Sequence, residues 1–193
     1  ALDLIERRAS RTVLLNGAES SAEFFFEVHA PIPTLIVFGA MHVSMHLVNL
    51  ARELGLRTIV VDARPRFATR ERFPAADELL IGIPSEIAKS LRYSPSTLVI
   101  LAAHDYKYDI PILKTVLKTG ASYIGLLGSK KRGEAILHFL GDAGIERHEL
   151  ARVKVPTGLD IGAQTAAEIA LSILSEAMAV RAGRSGRPLS GSR

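Results

Sequence analysis

Three groups of polar residues in this chain each follow a short apolar run, and their types suit anion binding and acid–base chemistry. After "TLIVF" come Gly39, Met41 and His42; after "TLVILAA" come His104 and Asp105; after "SYIGLL" come Gly128, Ser129, Lys130, Lys131 and Arg132. A glycine turn that opens a helix leaves backbone N–H groups without helical acceptors, and with the helix dipole these favour an anion. Ser129 stands where an N-cap belongs, with Lys130 and Arg132 beside it, a seat suited to phosphate. An ordinary capped helix with solvated cations explains the same residues. His104 and Asp105, with Asp109 a turn further on, offer acid–base groups with no nucleophile beside them. Asp109 can instead cap the helix that begins "IPILKTVL".

The first group is a damaged dinucleotide fingerprint. Where G-x-G-x-x-G requires three glycines, the chain has Gly39, Met41 and Ser44. The second glycine lets a pyrophosphate approach backbone amides, and Met41 puts a long side chain there, so NAD(P) binding is expected to be weakened. Gly39 can still make the turn, and Asp62 lies 23 positions later, at the end of the next apolar run, where an acid holds a ribose hydroxyl. Arg64, Arg66, Arg70 and Arg72 follow in "ARPRFATRERF" and are candidates for a phosphate or partner contact, or simply solvated loop cations. His42 and His46 are spaced to share a metal with His104 and Asp105, but the Glu of H-E-x-x-H is missing and no metal site is expected. His42 is assigned to the crevice wall, and His46, among apolar neighbours, to packing against the sheet.

These groups need elements to bring them together. Apolar runs over 34–38, 58–62, 78–81, 97–102 and 122–127 read as strands, alternating with helical patterns over 42–54, 85–91, 109–119 and 130–140. Gly55 and Gly120 are expected at left-handed C′ positions, and Gly141 at the end of a third helix. A last helix opens with a Thr165/Glu168 capping box and lines up Ile169, Ile173, Ala177 and Val180. The alternation predicts an α/β, Rossmann-like, doubly wound parallel sheet with helices on both faces and strand order 3-2-1-4-5. In that order the first and fourth strands are neighbours, so the three polar groups share one mouth. "RTVLLNG" and "AEFFFEVHAPIP" read as two further strands, an edge hairpin or the tail of a preceding segment, which makes 1–30 an N-terminal segment, 31–182 the main domain and 183–193 a basic tail.

Composition sets limits on function. With 193 residues, 48% of them hydrophobic, the chain can bury one α/β core. It has no cysteine, so no thiol nucleophile or Cys-ligated metal is available on these residues. The net charge of +4 comes from Arg181, Arg184, Arg187 and Arg193 in a stretch without acids, which leaves no basic face for nucleic acid on the rest. No apolar run reaches membrane-spanning length and no signal-peptide core is present, so a soluble cytoplasmic chain without membrane contact is expected. The missing initial Met suggests a processed chain or a fragment.

In order along the chain, "PTLIVFGAMHV", "VVDARPRFATRERFP", "LAAHDYKYDIPIL", "SYIGLLGSKKR" and "PTGLDIGAQTAAEIALSILSEAMAVRAG" resemble the signatures of the C-terminal Rossmann domain of the XdhC/CoxI family, the xanthine dehydrogenase accessory factors. The resemblance implies a maturation chaperone that binds the molybdenum cofactor (molybdopterin), aids its sulfuration and delivers it to a molybdenum hydroxylase apoenzyme, with a sulfur-transfer enzyme as second partner and a tendency to dimerise. It places the family's glycine loop on Gly39 to Ser44, its strand-end acid on Asp62, its Arg-Pro on Arg64 and Pro65, and its His-Asp on His104 and Asp105. The Gly-Ser-basic turn falls on Gly128, Ser129, Lys130 and Arg132. The Gly-Leu-Asp-Ile-Gly turn falls on Gly158 to Gly162, with Thr157 where the family carries an aliphatic residue. The family's cysteine-bearing N-terminal domain has no counterpart here. On this reading the cofactor phosphate sits on the Ser129 amides and the pterin against Met41 and His42, with His104 and Asp105 hydrogen-bonding it. An NAD(P)-binding oxidoreductase is the alternative, with His104 as its acid–base group.

Overall fold

The computed structural model describes residues 10–16, 21–29, 31–103 and 106–191. The chain divides into two compact units, Ala1–Ile32 and Pro33–Arg193. In the first, β1 (Arg11–Asn16) pairs antiparallel with β2 (Ser21–Phe26), Arg11 opposite Phe26 and Asn16 opposite Ser21. This is the hairpin expected from the sequence.

The second unit is a six-stranded parallel sheet. Its strands are β3 (Thr34–Phe38), β4 (Arg57–Asp62), β5 (Glu78–Ile81), β6 (Thr97–Leu101), β7 (Tyr123–Leu126) and β8 (Val153–Lys154), in the order β5-β4-β3-β6-β7-β8. β3 lies between β4 and β6, with Val37 opposite both Val60 and Ile100. The expected order of five strands holds; β8, beside β7, is an addition that the sequence reading lacked. The helices are α1 (His42–Glu53), α2 (Pro84–Ser90), α3 (Tyr106–Val116), α4 (Lys130–Asp142), the short α5 (Arg147–Leu150) and α6 (Ala166–Arg181).

Strand side chains alternate between faces, so both faces of a covered parallel sheet must be apolar. Ile36, Phe38, Val99 and Leu101 point to one side and pack with Ile112 and Leu113 of α3 and Ile136 and Leu140 of α4. Leu35, Val37, Leu98 and Ile100 point to the other and pack with Leu47 and Ala51 of α1 and Ile173, Leu174 and Ala177 of α6. The α6 capping box forms as expected: Glu168 N–H donates to Thr165 Oγ1 at 3.2 Å, and Thr165 N–H donates to the Glu168 carboxylate at 2.8 Å.

Three local expectations are corrected. α3 begins at Tyr106, so Asp109 lies inside the helix, fully buried, and does not cap it. Gly120 has no left-handed backbone, unlike Gly55 at φ +70. Gly141 stays within α4, and Gly144 makes the turn after it.

A polar cluster lies within this core. The Tyr123 hydroxyl meets Thr157 Oγ1 at 2.6 Å and donates to the Glu176 carboxylate, which also accepts from the Gly158 N–H at 2.8 Å. Burial, with Glu176 beside it, pushes the Tyr123 pKa upward. Gly125 makes the room: a Cβ there would collide with Thr157 Oγ1. Among the described residues, no helix is long and apolar enough to cross a membrane.

Candidate functional site

A cleft of about 320 Å³ opens at the carboxyl ends of β3, β4 and β6. Its walls include Phe38 and Gly39 at the end of β3, Val61 and Asp62 at the end of β4 with Arg64 just beyond, Ala103 after β6, and Tyr108 and Ile112 from α3. The crossover after β3 leads to β4 on one side and the crossover after β6 leads to β7 on the other, which opens the crevice where such folds hold ligands.

The Gly39 turn is tightly built. Gly39 has φ +113, and a Cβ on it would lie 2.9 Å from the backbone of Ala102 and Ala103. The Ser44 hydroxyl, where the fingerprint has its third glycine, donates to the Gly39 carbonyl at 2.5 Å, so this departure fastens the turn. Met41 is the half-buried residue ahead of α1 and stands on the cleft wall, as expected from its place in the loop.

Asp62 is already saturated. Oδ1 accepts from Arg64 N–H and Arg64 Nε, both at 2.9 Å; Oδ2 accepts from Ala40 N–H at 2.7 Å and Arg64 Nη2 at 2.8 Å. Burial pushes its pKa up, but the Arg64 fork and the two amides outweigh that and hold it below the ordinary carboxylate value. Four donors fill the acceptor sites of one carboxylate, so no ribose hydroxyl can join without displacing one. The bond from Ala40 also occupies an amide of the glycine loop. Arg64 is 46% exposed, lies 4.2 Å over the Phe67 ring, and donates to Met41 Sδ at 3.5 Å.

The other loop arginines divide. Arg72 donates to the Ala40 and Phe67 carbonyls at 3.0 and 2.8 Å, and Arg70 to the Ala76 and Asp77 carbonyls, so both tie the loop down. Arg66 stays exposed.

At the Ser129 turn the cap forms, with Arg132 N–H donating to Ser129 Oγ at 3.3 Å. Lys130 is exposed and 3.9 Å from Glu134. The Arg132 guanidinium turns inward: it pairs with Asp109 and donates to the Ala103 and Leu127 carbonyls. A Cβ on Gly128 would touch it at 3.2 Å. Arg132 therefore braces the cleft wall from behind. The signal that reveals this is Asp109 itself, which shares an apolar helical face with Ile112, Leu113 and Val116, where a carboxylate needs a buried cation.

The histidines are corrected in part. His42 and His46 are both exposed; neither lines the cleft, and His46 does not pack on the sheet. On α1 the inward positions are taken by Ser44, Leu47, Val48 and Ala51. His104 and Asp105 lie outside the described residues. Among the described residues, no group of three or more His, Asp or Glu side chains is placed to hold a metal ion. Tyr108 and Pro84 line the cleft and Phe67 supports Arg64 beside it; none carried a signal in sequence, being isolated aromatic or turn residues.

Comparison with known proteins gives these features a setting. The chain is 32% identical over 175 residues to a Bacillus subtilis protein named as a probable xanthine dehydrogenase subunit, covering 91% of this chain and 51% of that protein. It is 33% identical over 157 residues to the molybdenum cofactor insertion chaperone PaoD of Escherichia coli, covering 81% and 43%. A crystal structure described as a xanthine dehydrogenase from Bacillus halodurans superposes with a TM-score of 0.71 at 30% identity, over 86% of this chain and 46% of the other. The chain spans about half the length of these relatives, or less. The XdhC Rossmann domain family matches residues 35–177, which covers the sheet from β3 to β8 and most of α6, and the chain belongs to that family.

Proposed function

We propose that this chain is the cofactor-holding part of a maturation factor for molybdenum hydroxylases of the xanthine dehydrogenase type. The observation that carries the reading is the cleft: it stands where a Rossmann fold holds its ligand, but Met41 and the saturated Asp62 obstruct a dinucleotide. The names of two relatives, a molybdenum cofactor insertion chaperone and a xanthine dehydrogenase subunit, support it.

The residues fit a pterin-based group. About 320 Å³ is at the small end of ligand sites and suits one heterocycle. Phe38, Ile112 and Tyr108 give apolar and aromatic walls for a flat ring, and the Arg64 guanidinium is a cation at its edge. When bound, the group supplies the molybdenum and its dithiolene sulfurs. The chain's residues bind, orient and exclude water: Gly39, Met41, Asp62 and Arg64 form one side, His42 stands outside the wall at the start of α1, and His104 and Asp105, next after Ala103 in sequence, are assigned hydrogen bonds to the ring. Gly128, Ser129 and Lys130 form the adjoining turn, and Arg132 supports it from within. The role is to bind and release in the cytoplasm, with an apoenzyme and a sulfur-transfer enzyme as partners and a homodimer as the assembly.

Native mass spectrometry of the chain purified from cells that make the molybdenum cofactor tests this. The expected result is an adduct of cofactor mass that disappears when an apo-hydroxylase is added. A chain that carries NAD(P), or no cofactor-mass adduct under those conditions, overturns the reading.

A further inference from the structure

The proposed cofactor carries a terminal phosphomonoester, and the structure bears on where that group goes. The seat read from sequence is the Ser129 turn, but its best cation, Arg132, is turned into Asp109 and the carbonyls of Ala103 and Leu127. Lys130 there is exposed and near only Glu134. Gly128, Ser129, Lys130 and Arg132 do not line the cleft, whereas Arg64 does, and there the arrangement is firmer. Arg64 presents Nε and Nη2 to Asp62, its flat face to Phe67 at 4.2 Å and one edge to Met41 Sδ. Its Nη1 has no hydrogen-bond partner among the described residues. Arg66 and Arg72 stand over the same Phe67 ring at 5.4 and 5.3 Å, so three guanidiniums gather at that ring.

A guanidinium fixed by a carboxylate, a ring face and a thioether loses little freedom when it meets an anion. An acid that already accepts four hydrogen bonds cannot accept a vicinal diol. Where a Rossmann site carries an arginine beside the strand-end acid, it takes a phosphate in place of a free hydroxyl.

We propose that Arg64, and not the Ser129 turn, receives the phosphomonoester of the cleft's ligand, and that the cleft refuses an unphosphorylated ribose diol. Asp62 is then a positioning residue that aims the guanidinium. This rests on the pterin reading above and adds which residue takes the phosphate.

The test uses the full chain and two probes: the fluorescent oxidised pterin obtained from the cofactor, with its phosphate and after enzymatic dephosphorylation. The phosphorylated probe should bind roughly ten- to a hundredfold more tightly at low salt. High salt should shrink that ratio. Arg64→Gln should bring it close to one, with the phosphorylated probe losing more affinity than the dephosphorylated one. Because Arg64→Gln strips partners from Asp62, its thermal melt is recorded alongside; if it does not fold, Arg64→Lys, which keeps the charge but not the fork, should lower the ratio at least threefold. Inorganic phosphate should compete with the phosphorylated probe alone, and adenosine with neither.

Equal binding of both probes to the unaltered chain would sink the Arg64 assignment and leave the cofactor reading standing. A preference that survives Arg64→Gln but vanishes in Lys130→Ala moves the phosphate to the Ser129 turn and likewise overturns it. Failure to bind either probe overturns this proposal and the cofactor reading together.

Discussion

Arg132 reaches back from the first turn of α4 to the fully buried carboxylate of Asp109 on α3, and the same guanidinium holds the carbonyls that follow β6 and β7, Ala103 at 3.3 Å and Leu127 at 3.2 Å. Two strand ends and two helices thus meet at one side chain, only 14% exposed. Removing one partner of a buried ion pair leaves a charge without water or counter-ion, which costs far more than the pair contributes. Arg132→Ala should therefore destabilise the chain by about 3–5 kcal/mol in urea unfolding. Lys130→Ala, two residues away on an exposed surface, should stay within about 0.5 kcal/mol. Equal effects would mean that Arg132 is a surface cation after all.

Acid should reveal the Asp62 bonds. Its folded pKa is depressed below 3.8, so on acidification the unfolded chain takes up the proton first. The stability contributed by the carboxylate is then present above the unfolded value and is lost as pH falls through the folded one. Thermal melts between about pH 5 and about pH 3 should show a steeper loss for the unaltered chain than for Asp62→Asn. Parallel curves would show that Asp62 titrates alike in both states.

Two of the positive-φ glycines give a matched pair. Gly39 has φ +113 and backbone 2.9 Å from any added Cβ; Gly55 has φ +70 and nothing within 4 Å. Gly55→Ala should cost about 1 kcal/mol, from backbone conformation alone. Gly39→Ala adds a collision with the chain after β6 and should cost roughly 2–4 kcal/mol. It should also narrow the cleft, so pterin binding should fall for Gly39→Ala and hold for Gly55→Ala.

Dinucleotide binding should be hard to restore. Met41→Gly removes the side chain from the pyrophosphate path, but Asp62 still accepts from Ala40 and Arg64. Calorimetry should find little NAD(H) affinity in Met41→Gly and a gain of tenfold or more, about 1.4 kcal/mol, when Arg64→Ala is added. Micromolar NAD(H) binding by the unaltered chain would remove the occlusion argument.

Periodicity explains what could be read in advance. β3 to β7 are apolar runs of four to six residues, all but β4 followed by a helical pattern, and the strand order follows from the handedness of the crossovers. β8 is only Val153 and Lys154, too short to have a period. The Gly39 turn and Asp62 were legible because backbone chemistry dictates their types. The partners of a side chain were not: Arg132 looks in sequence like any cation in a first helical turn, and only the depth of Asp109 decides where it points. His46 was misplaced for a related reason, since apolar neighbours in sequence are not neighbours on a helix face.

Gly125 has a bearing on how this chain can vary. The missing side chain admits the Thr157 hydroxyl, which meets Tyr123, whose own hydroxyl reaches the Glu176 that holds the Gly158 amide. Four substitutions are therefore linked as one heritable character. A descendant that acquires alanine at 125 must give up the threonine at 157, and one that keeps an aliphatic residue at 157 leaves the tyrosine and glutamate to each other. Drift at these positions should be concerted, moving in a block through lineages, while the exposed helix faces around them change one residue at a time.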